Sequence, residues 1–176
     1  MTMETIKSKI RTIPDFPEEG VMFRDITTLL KDAQGFRQTI DAFVNRYQPM
    51  EIDVVAGIEA RGFIIAGAIA CLLGTGFIPM RKPGKLPAAT YRRDYQLEYG
   101  TDAIEMHRDA VTPGTRVLMV DDLLATGGTM KAACEMVEMA GGTVVECAFI
   151  VDLPELKGRE KLKGYPLFTL VAFSGH

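Results

Sequence analysis

The stretch Val117-Leu-Met-Val-Asp-Asp-Leu-Leu-Ala-Thr-Gly-Gly-Thr129 decides how this chain is read. Four apolar residues, Val117 to Val120, have the character of a buried strand and lead into Asp121 and Asp122. A loop then carries Thr126, Gly127, Gly128 and Thr129 into the start of a helix. Glycines let the backbone turn its amides toward a ligand, and a helix N-terminus adds positive dipole character, so this loop suits a phosphate dianion, with threonine hydroxyls as further donors. Thr-Gly-Gly-Thr is also an ordinary helix cap, and the carboxylates tip the balance. Two anions beside a phosphate site need something else on the same ligand to face, either ribose hydroxyls or a magnesium ion held by them.

On both sides of this segment short apolar runs alternate with helical spacing. Ile52 to Gly57, Gly76 to Met80, Arg116 to Val120, Thr143 to Asp152 and Leu167 to Phe173 read as strands. Residues 35–47, Phe63 to Leu73 and Gly128 to Ala140 read as helices, and residues 3–11 as a short amphipathic one. Alternation of this kind predicts an α/β fold with right-handed crossovers and a mainly parallel sheet covered on both faces. Ligands of such sheets bind beyond the carboxyl ends of the strands, so chemistry is expected just after Gly57, Met80 and Val120. Between Arg81 and Gly114 the periodicity breaks down into a long connection with a strand pair inside, and loops of that length are usually functional lids.

Bulk properties narrow the classes further. A chain of 176 residues suits one domain. A net charge of -3 and a pI near 5.5 argue against a nucleic-acid binder, whose affinity comes from clustered Lys and Arg. The apolar stretch from Gly62 to Pro79 is interrupted by Gly67, Gly74 and Gly76 and is too short for a membrane span. The N-terminus lacks the apolar core of a secretory signal, so the cytoplasm is the expected compartment. Cys71, Cys134 and Cys147 show no CxxC spacing and read as reduced core residues. Neither a GxxxxGK[ST] loop nor a full dinucleotide fingerprint is present.

The Val117 to Thr129 stretch closely resembles the phosphoribosyl pyrophosphate motif of type I phosphoribosyltransferases. The resemblance implies that fold, with Asp121 and Asp122 on the ribose hydroxyls and Ala125, Thr126, Gly127, Gly128 and Thr129 around the 5′-phosphate. A second stretch, Asp15-Phe-Pro-Glu-Glu-Gly-Val-Met-Phe-Arg-Asp-Ile-Thr-Thr-Leu-Leu30, is similar to the N-terminal segment of the adenine phosphoribosyltransferases. It implies a single domain over residues 1–176, with a base-covering hood over about 1–34 and a pyrophosphate and lid region over about 81–114. Met22 and Arg24 would contact adenine, largely through backbone groups, with Phe23 and Ile26 as apolar support. Read without the family, the same residues are a loop with scattered core anchors.

The remaining assignments come from the same resemblance. Ala56-Gly-Ile-Glu-Ala-Arg-Gly-Phe63 matches a loop that meets pyrophosphate, implicating Glu59, Ala60 and Arg61. Arg81, Lys82 and Lys85 cluster at a strand end, where cations suit a leaving polyanion. Tyr95-Gln-Leu-Glu-Tyr-Gly100 resembles the family's mobile catalytic loop, with Glu98 at its acid position, either transferring a proton or only hydrogen-bonding the base. The neighbouring Arg92 and Arg93 match no family pattern. The implied reaction joins adenine to phosphoribosyl pyrophosphate with Mg2+, giving AMP and pyrophosphate, in a homodimer. The alternatives are a phosphoribosyltransferase for xanthine or hypoxanthine, or a donor-binding regulator without catalysis.

Overall fold

A computed structural model describes residues 2–97 and 99–175. The chain opens with α1 (Met3–Ser8), β1 (Arg11–Pro14), β2 (Met22–Asp25), α2 (Thr27–Lys31) and α3 (Ala33–Tyr47). Then come β3 (Val54–Ile58), α4 (Arg61–Leu73) and β4 (Gly76–Met80), followed by the strands β5 (Thr90–Leu97) and β6 (Gly100–His107). The last third holds β7 (Arg116–Leu124), α5 (Gly128–Met139), β8 (Thr143–Asp152), α6 (Gly158–Lys161) and β9 (Leu167–Ala172).

Five strands form one parallel sheet in the order β4-β3-β7-β8-β9. Alternate residues of its central strands feed two cores. Ala56, Val117 and Met119 pack with Met130, Ala133 and Val137 of α5 on one side. Val55, Leu118 and Val120 pack with Phe43, Ile65 and Ile69 of α3 and α4 on the other. Continuous apolar runs were therefore the right signature, since both faces are covered. Asp32 caps α3 by accepting from Gly35 N at 2.6 Å. Gly74 ends α4 in the left-handed conformation, φ 72°, which a side chain rarely adopts.

Two antiparallel pairs sit outside this sheet, β1 with β2 and β5 with β6. The first is the N-terminal hood, fastened by Arg11, whose Nε donates to Asp25 Oδ2 at 3.0 Å. Burial of Asp25 works against its ionisation, but bonds from Thr27 and Arg11 outweigh this and pull its pKa down to about 2. The second is the expected strand pair of the 81–114 region, a regular hairpin of two eight-residue strands.

The structure changes three expectations. The strand that begins at Arg116 does not stop at Val120: pairing with β8 continues to Leu124, so Asp121 and Asp122 stand on β7 itself. The N-terminal helix ends at Ser8, short of residue 11, because the chain turns into β1. Cys71 is exposed on α4, whereas Cys134 and Cys147 are buried with their sulfurs 3.5 Å apart. Among the described residues no helix is long and apolar enough to cross a membrane.

Candidate active site

The neighbouring strands β4, β3 and β7 run parallel, so their carboxyl ends lie on one edge and deliver three turns to the same place. Glu59, Ala60 and Arg61 follow β3, Arg81, Lys82 and Lys85 follow β4, and the two aspartates stand near the end of β7. Between them lies a cavity of about 380 Å³, lined by Ile58, Glu59, Ala60, Arg61, Lys82, Ile104, Asp121, Asp122, Leu123 and Thr129. A smaller hollow of about 80 Å³ adjoins it, formed by the loop from Ala125 to Thr129 and by Met130 and Phe149. Asp121, Leu123 and Thr129 line both spaces.

The small hollow owes its shape to glycine. Gly127 has φ +82°, and a Cβ there would lie 2.8 Å from the carbonyl oxygen of Gly158. A Cβ on Gly158 would in turn collide with the Ala125 carbonyl oxygen and the Leu124 side chain. The loop is thus pressed between its own strand and the start of α6. Behind it, Arg159 Nε donates to the buried Asp152 Oδ2 at 2.6 Å and fixes α6 against the end of β8.

The two carboxylates have different surroundings. Asp122 is 5% exposed and accepts from Arg61 Nε at 2.6 Å. Asp121 accepts the Asp122 backbone N–H at 2.8 Å. Burial and the adjacent Asp122 charge push the Asp121 pKa upward, with Arg61 opposing. Arg61 and Lys82 face three carboxylates, Glu59, Asp121 and Asp122, in the cavity wall, which leaves it short of positive charge or hydroxyl donors.

Glu59 is a hub that gathers cations. Its Oε1 accepts the Lys82 backbone N–H at 2.5 Å, its Oε2 accepts from Lys85 Nζ at 2.9 Å, and Arg81 Nε lies 3.5 Å away. Burial opposes its ionisation, yet these bonds and charges hold its pKa below the usual carboxylate range. Lys82 extends the other way, donating to Tyr95 Oη at 2.8 Å and to Asp102. Burial disfavours the Lys82 charge, but Asp102 and Tyr95 outweigh it and raise the pKa. Tyr95 and Asp102 face each other across the hairpin register, so a cation lining the cavity also holds the hairpin.

The hood reaches this cavity through Phe23, whose ring lies 5.4 Å from the Arg61 guanidinium carbon. The Arg24 side chain is committed to the fold: it donates to Thr12 Oγ1 at 2.6 Å and the Gly175 carbonyl at 2.7 Å, and lies 4.6 Å over the Phe173 ring. Ile26 is 1% exposed in the core, so its support is structural. Met22 lies half-buried on β2. Glu98 lies outside the described residues. Sequence reading missed Gly158 and Asp102 and named Tyr95 only as the start of the catalytic-loop stretch. The glycine at Lys157-Gly158 was the one available signal, while a Lys-to-Asp contact 20 residues apart leaves no trace in composition or spacing.

Comparison with known proteins places this geometry. Residues 27–173 match the phosphoribosyl transferase domain. An adenine phosphoribosyltransferase of Chloroflexus aurantiacus is 57% identical over 173 residues, spanning 98% of this chain and 100% of that protein. The crystal structure of the adenine phosphoribosyltransferase from Thermoanaerobacter pseudethanolicus superposes with a TM-score of 0.95 at 50% identity, covering 98% of this chain and 100% of that one. The Saccharomyces cerevisiae enzyme, crystallised with D-2,5-dideoxy-2,5-imino-altritol 1,6-bisphosphate and adenine, gives 0.91 at 39% identity over 96% and 98% of the two chains. The chain belongs to the phosphoribosyl transferase domain family and, within it, to the adenine phosphoribosyltransferases, a class of pentosyl-transferring enzymes.

Proposed function

We propose that this chain transfers the 5-phosphoribosyl group from phosphoribosyl pyrophosphate to a ring nitrogen of adenine, giving AMP and pyrophosphate. The observation that carries this reading is the continuity of the two spaces, with Asp121 and Thr129 in both walls. A ligand with a phosphate in the glycine hollow would have its ribose at the aspartates and its leaving group between Arg61 and Lys82.

In this reading Ala125 to Thr129 bind the 5′-phosphate through backbone amides and hydroxyls. Asp121 and Asp122 take the ribose hydroxyls. Arg61, Arg81, Lys82 and Lys85 neutralise pyrophosphate as it leaves, with Glu59 and Ala60 shaping their turn. Charge develops positively on the ribose ring, so catalysis rests on positioning, leaving-group neutralisation and exclusion of water. Magnesium would arrive with the donor, its oxygen shell completed from the Asp121 and Asp122 side, and would add to neutralisation of the pyrophosphate. Met22 and Arg24 meet the base through backbone groups under Phe23, and Glu98 serves the imidazole side of adenine as acid or hydrogen-bond partner. The enzyme works in the cytoplasm as a homodimer, for which the exposed Ile64 and Leu72 of α4 and Phe77 of the edge strand β4 offer apolar surface.

Separate incubations of adenine, hypoxanthine and xanthine with donor and magnesium, read by pyrophosphate release, test the assignment. Efficient release with adenine alone is the expected result. Equal turnover of hypoxanthine would overturn the base specificity, and donor binding without release from any base would leave a regulator.

A further inference from the structure

A hollow of about 570 Å³ lies between the β5 strand of the hairpin and helix α5, and it shares only Gly128 with the two spaces proposed for the reaction. Its wall carries four cations, Arg92, Arg93, Lys131 and Lys161, against two carboxylates, Asp94 and Glu135. Local charge is therefore positive on a chain whose net charge is -3. We infer that this hollow is a binding site for a polyphosphate chain, distinct from the pyrophosphate site of the reaction.

The argument rests on what the cations leave unused. Arg92 donates to Asp94 Oδ1 at 2.9 Å and Arg93 to Glu135 Oε2 at 2.7 Å, each through Nε, so the terminal guanidinium nitrogens stay available. Lys131 and Lys161 make no ion pair among the described residues. The Lys161 ammonium lies 3.9 Å from where a Cβ on Gly128 would be, beside the first turn of α5. A cation next to the positive end of a helix is electrostatically uncomfortable without an anion nearby. Gly128 is the one residue the hollow shares with the phosphate hollow; Lys131 stands in the first turn behind the phosphate loop, its N–H donating to the Gly127 carbonyl at 3.0 Å, and Arg92 and Arg93 stand on β5.

The chemistry selects for several linked charges. Each contact to an exposed Lys or Arg is weak and screened by salt, so a single phosphate would gain little, whereas a chain of phosphates sums contacts from β5, α5 and α6 at one ordering cost. Occupancy would bridge the hairpin to the helix that opens at the phosphate loop, supplementing the Arg93–Glu135 pair. The ligand is then either a free inorganic chain or the triphosphate tail of a nucleotide.

Calorimetric titration with inorganic tripolyphosphate tests this in three proteins. Wild type is expected to show two classes of site. Arg61→Ala removes the class in the reaction cavity and keeps the other. The double variant Arg92→Ser, Lys131→Ser keeps the reaction-cavity class and weakens the second by about tenfold or more, with unchanged circular dichroism and unchanged AMP formation at saturating substrates. A second class lost in the double variant but present in Arg61→Ala protein supports the site even if Arg61 proves irrelevant to the reaction. A single class abolished by Arg61→Ala, or a second class indifferent to the double variant, overturns it. With Arg61→Ala protein, displacement of tripolyphosphate by ATP supports the nucleotide tail as source, and its persistence supports the free chain.

Discussion

The phosphate loop and the β5–β6 hairpin face each other across Gly128, and they differ in how much of their attachment is exposed side chain. The loop is fixed by backbone: Gly127 in the left-handed region, Gly158 packed against the Ala125 carbonyl, and α5 starting at once behind it. The hairpin is seated by the Arg81–Glu105 backbone pair and by the buried Ile104 and Met106 of β6. Its exposed side is tied to the body by side chains, Lys82 on Asp102 and Tyr95, and Arg93 on Glu135. Backbone packing has one solution and resists displacement. Ion pairs between long side chains can be exchanged for water, or for a ligand of the right sign, at small cost. The cradle and the lid of the proposed reaction would need those two behaviours, the second on the exposed side of the hairpin.

Substitution at Gly158 gives the hardest test of the rigid half. A valine there would force the Ala125 carbonyl and Leu124 apart, because the added Cβ has no room before any rotamer is chosen. AMP affinity should fall by two or more factors of ten, each worth about 1.4 kcal/mol, while the five-stranded sheet survives. Titration calorimetry alongside circular dichroism measures both. Near-normal AMP binding would show that the loop holds its shape without α6, and the contrast between the two regions would lose its basis.

The same division governs what was legible beforehand. Val117 to Thr129 announced strand, carboxylates and glycine loop because backbone demands are written in residue types: apolar runs for a sheet covered on both faces, glycine where an amide must turn. The parallel sheet followed from alternation, and the hairpin was visible as a break in it. What stayed hidden depends on long-range placement. Strand β7 runs on through Asp121 and Asp122 because β8 pairs with it up to Asp152, a partner 28 residues further along the chain at that point. Arg24 could be assigned a backbone role from family likeness, but nothing local said that its guanidinium would be spent on Thr12 and the C-terminal carbonyls. Cys71 looked like its buried companions because the exposed face of α4 is itself apolar, as Ile64 and Leu72 show.

A moderate effect is expected where the two halves meet, at Asp102. In the proposed reaction this residue would compete with the leaving pyrophosphate for Lys82, and its contact with Lys82 also ties the hairpin to the body. Asp102→Asn should release Lys82 toward the donor, leaving donor KM unchanged or lower, and should lower kcat several-fold as the lid loses its tether. That split separates a positioning role from a merely structural one, which would raise KM and lower kcat together. Tyr95→Phe, which removes the 2.8 Å hydroxyl contact but keeps the ring under Lys82, should give the same pattern in weaker form.

The smallest effect belongs to Arg93, and it is the most informative about the latch. The Arg93 and Glu135 side chains are 48% and 28% exposed, so their 2.7 Å contact is largely solvated, and pairs of that kind contribute between about 0 and 1 kcal/mol. One kcal/mol is about a fivefold change in an equilibrium, which sets the ceiling for lid closure. Arg93→Ser should therefore change turnover by less than about fivefold, and hydrogen exchange across Thr90–Leu97 should quicken by a similar factor while that of β7 stays unchanged. Glu135→Gln should reproduce both changes, and the double variant should add nothing, since the two residues act through one contact. Raising salt should erase the difference between variant and wild type, because an exposed pair is already screened there. Additive effects of the two substitutions, or an effect that persists at high salt, would mean that the packing of Tyr91 and Tyr95 against the core, and not the ion pair, sets how firmly β5 is held, and the hairpin would then belong with the rigid half of the molecule.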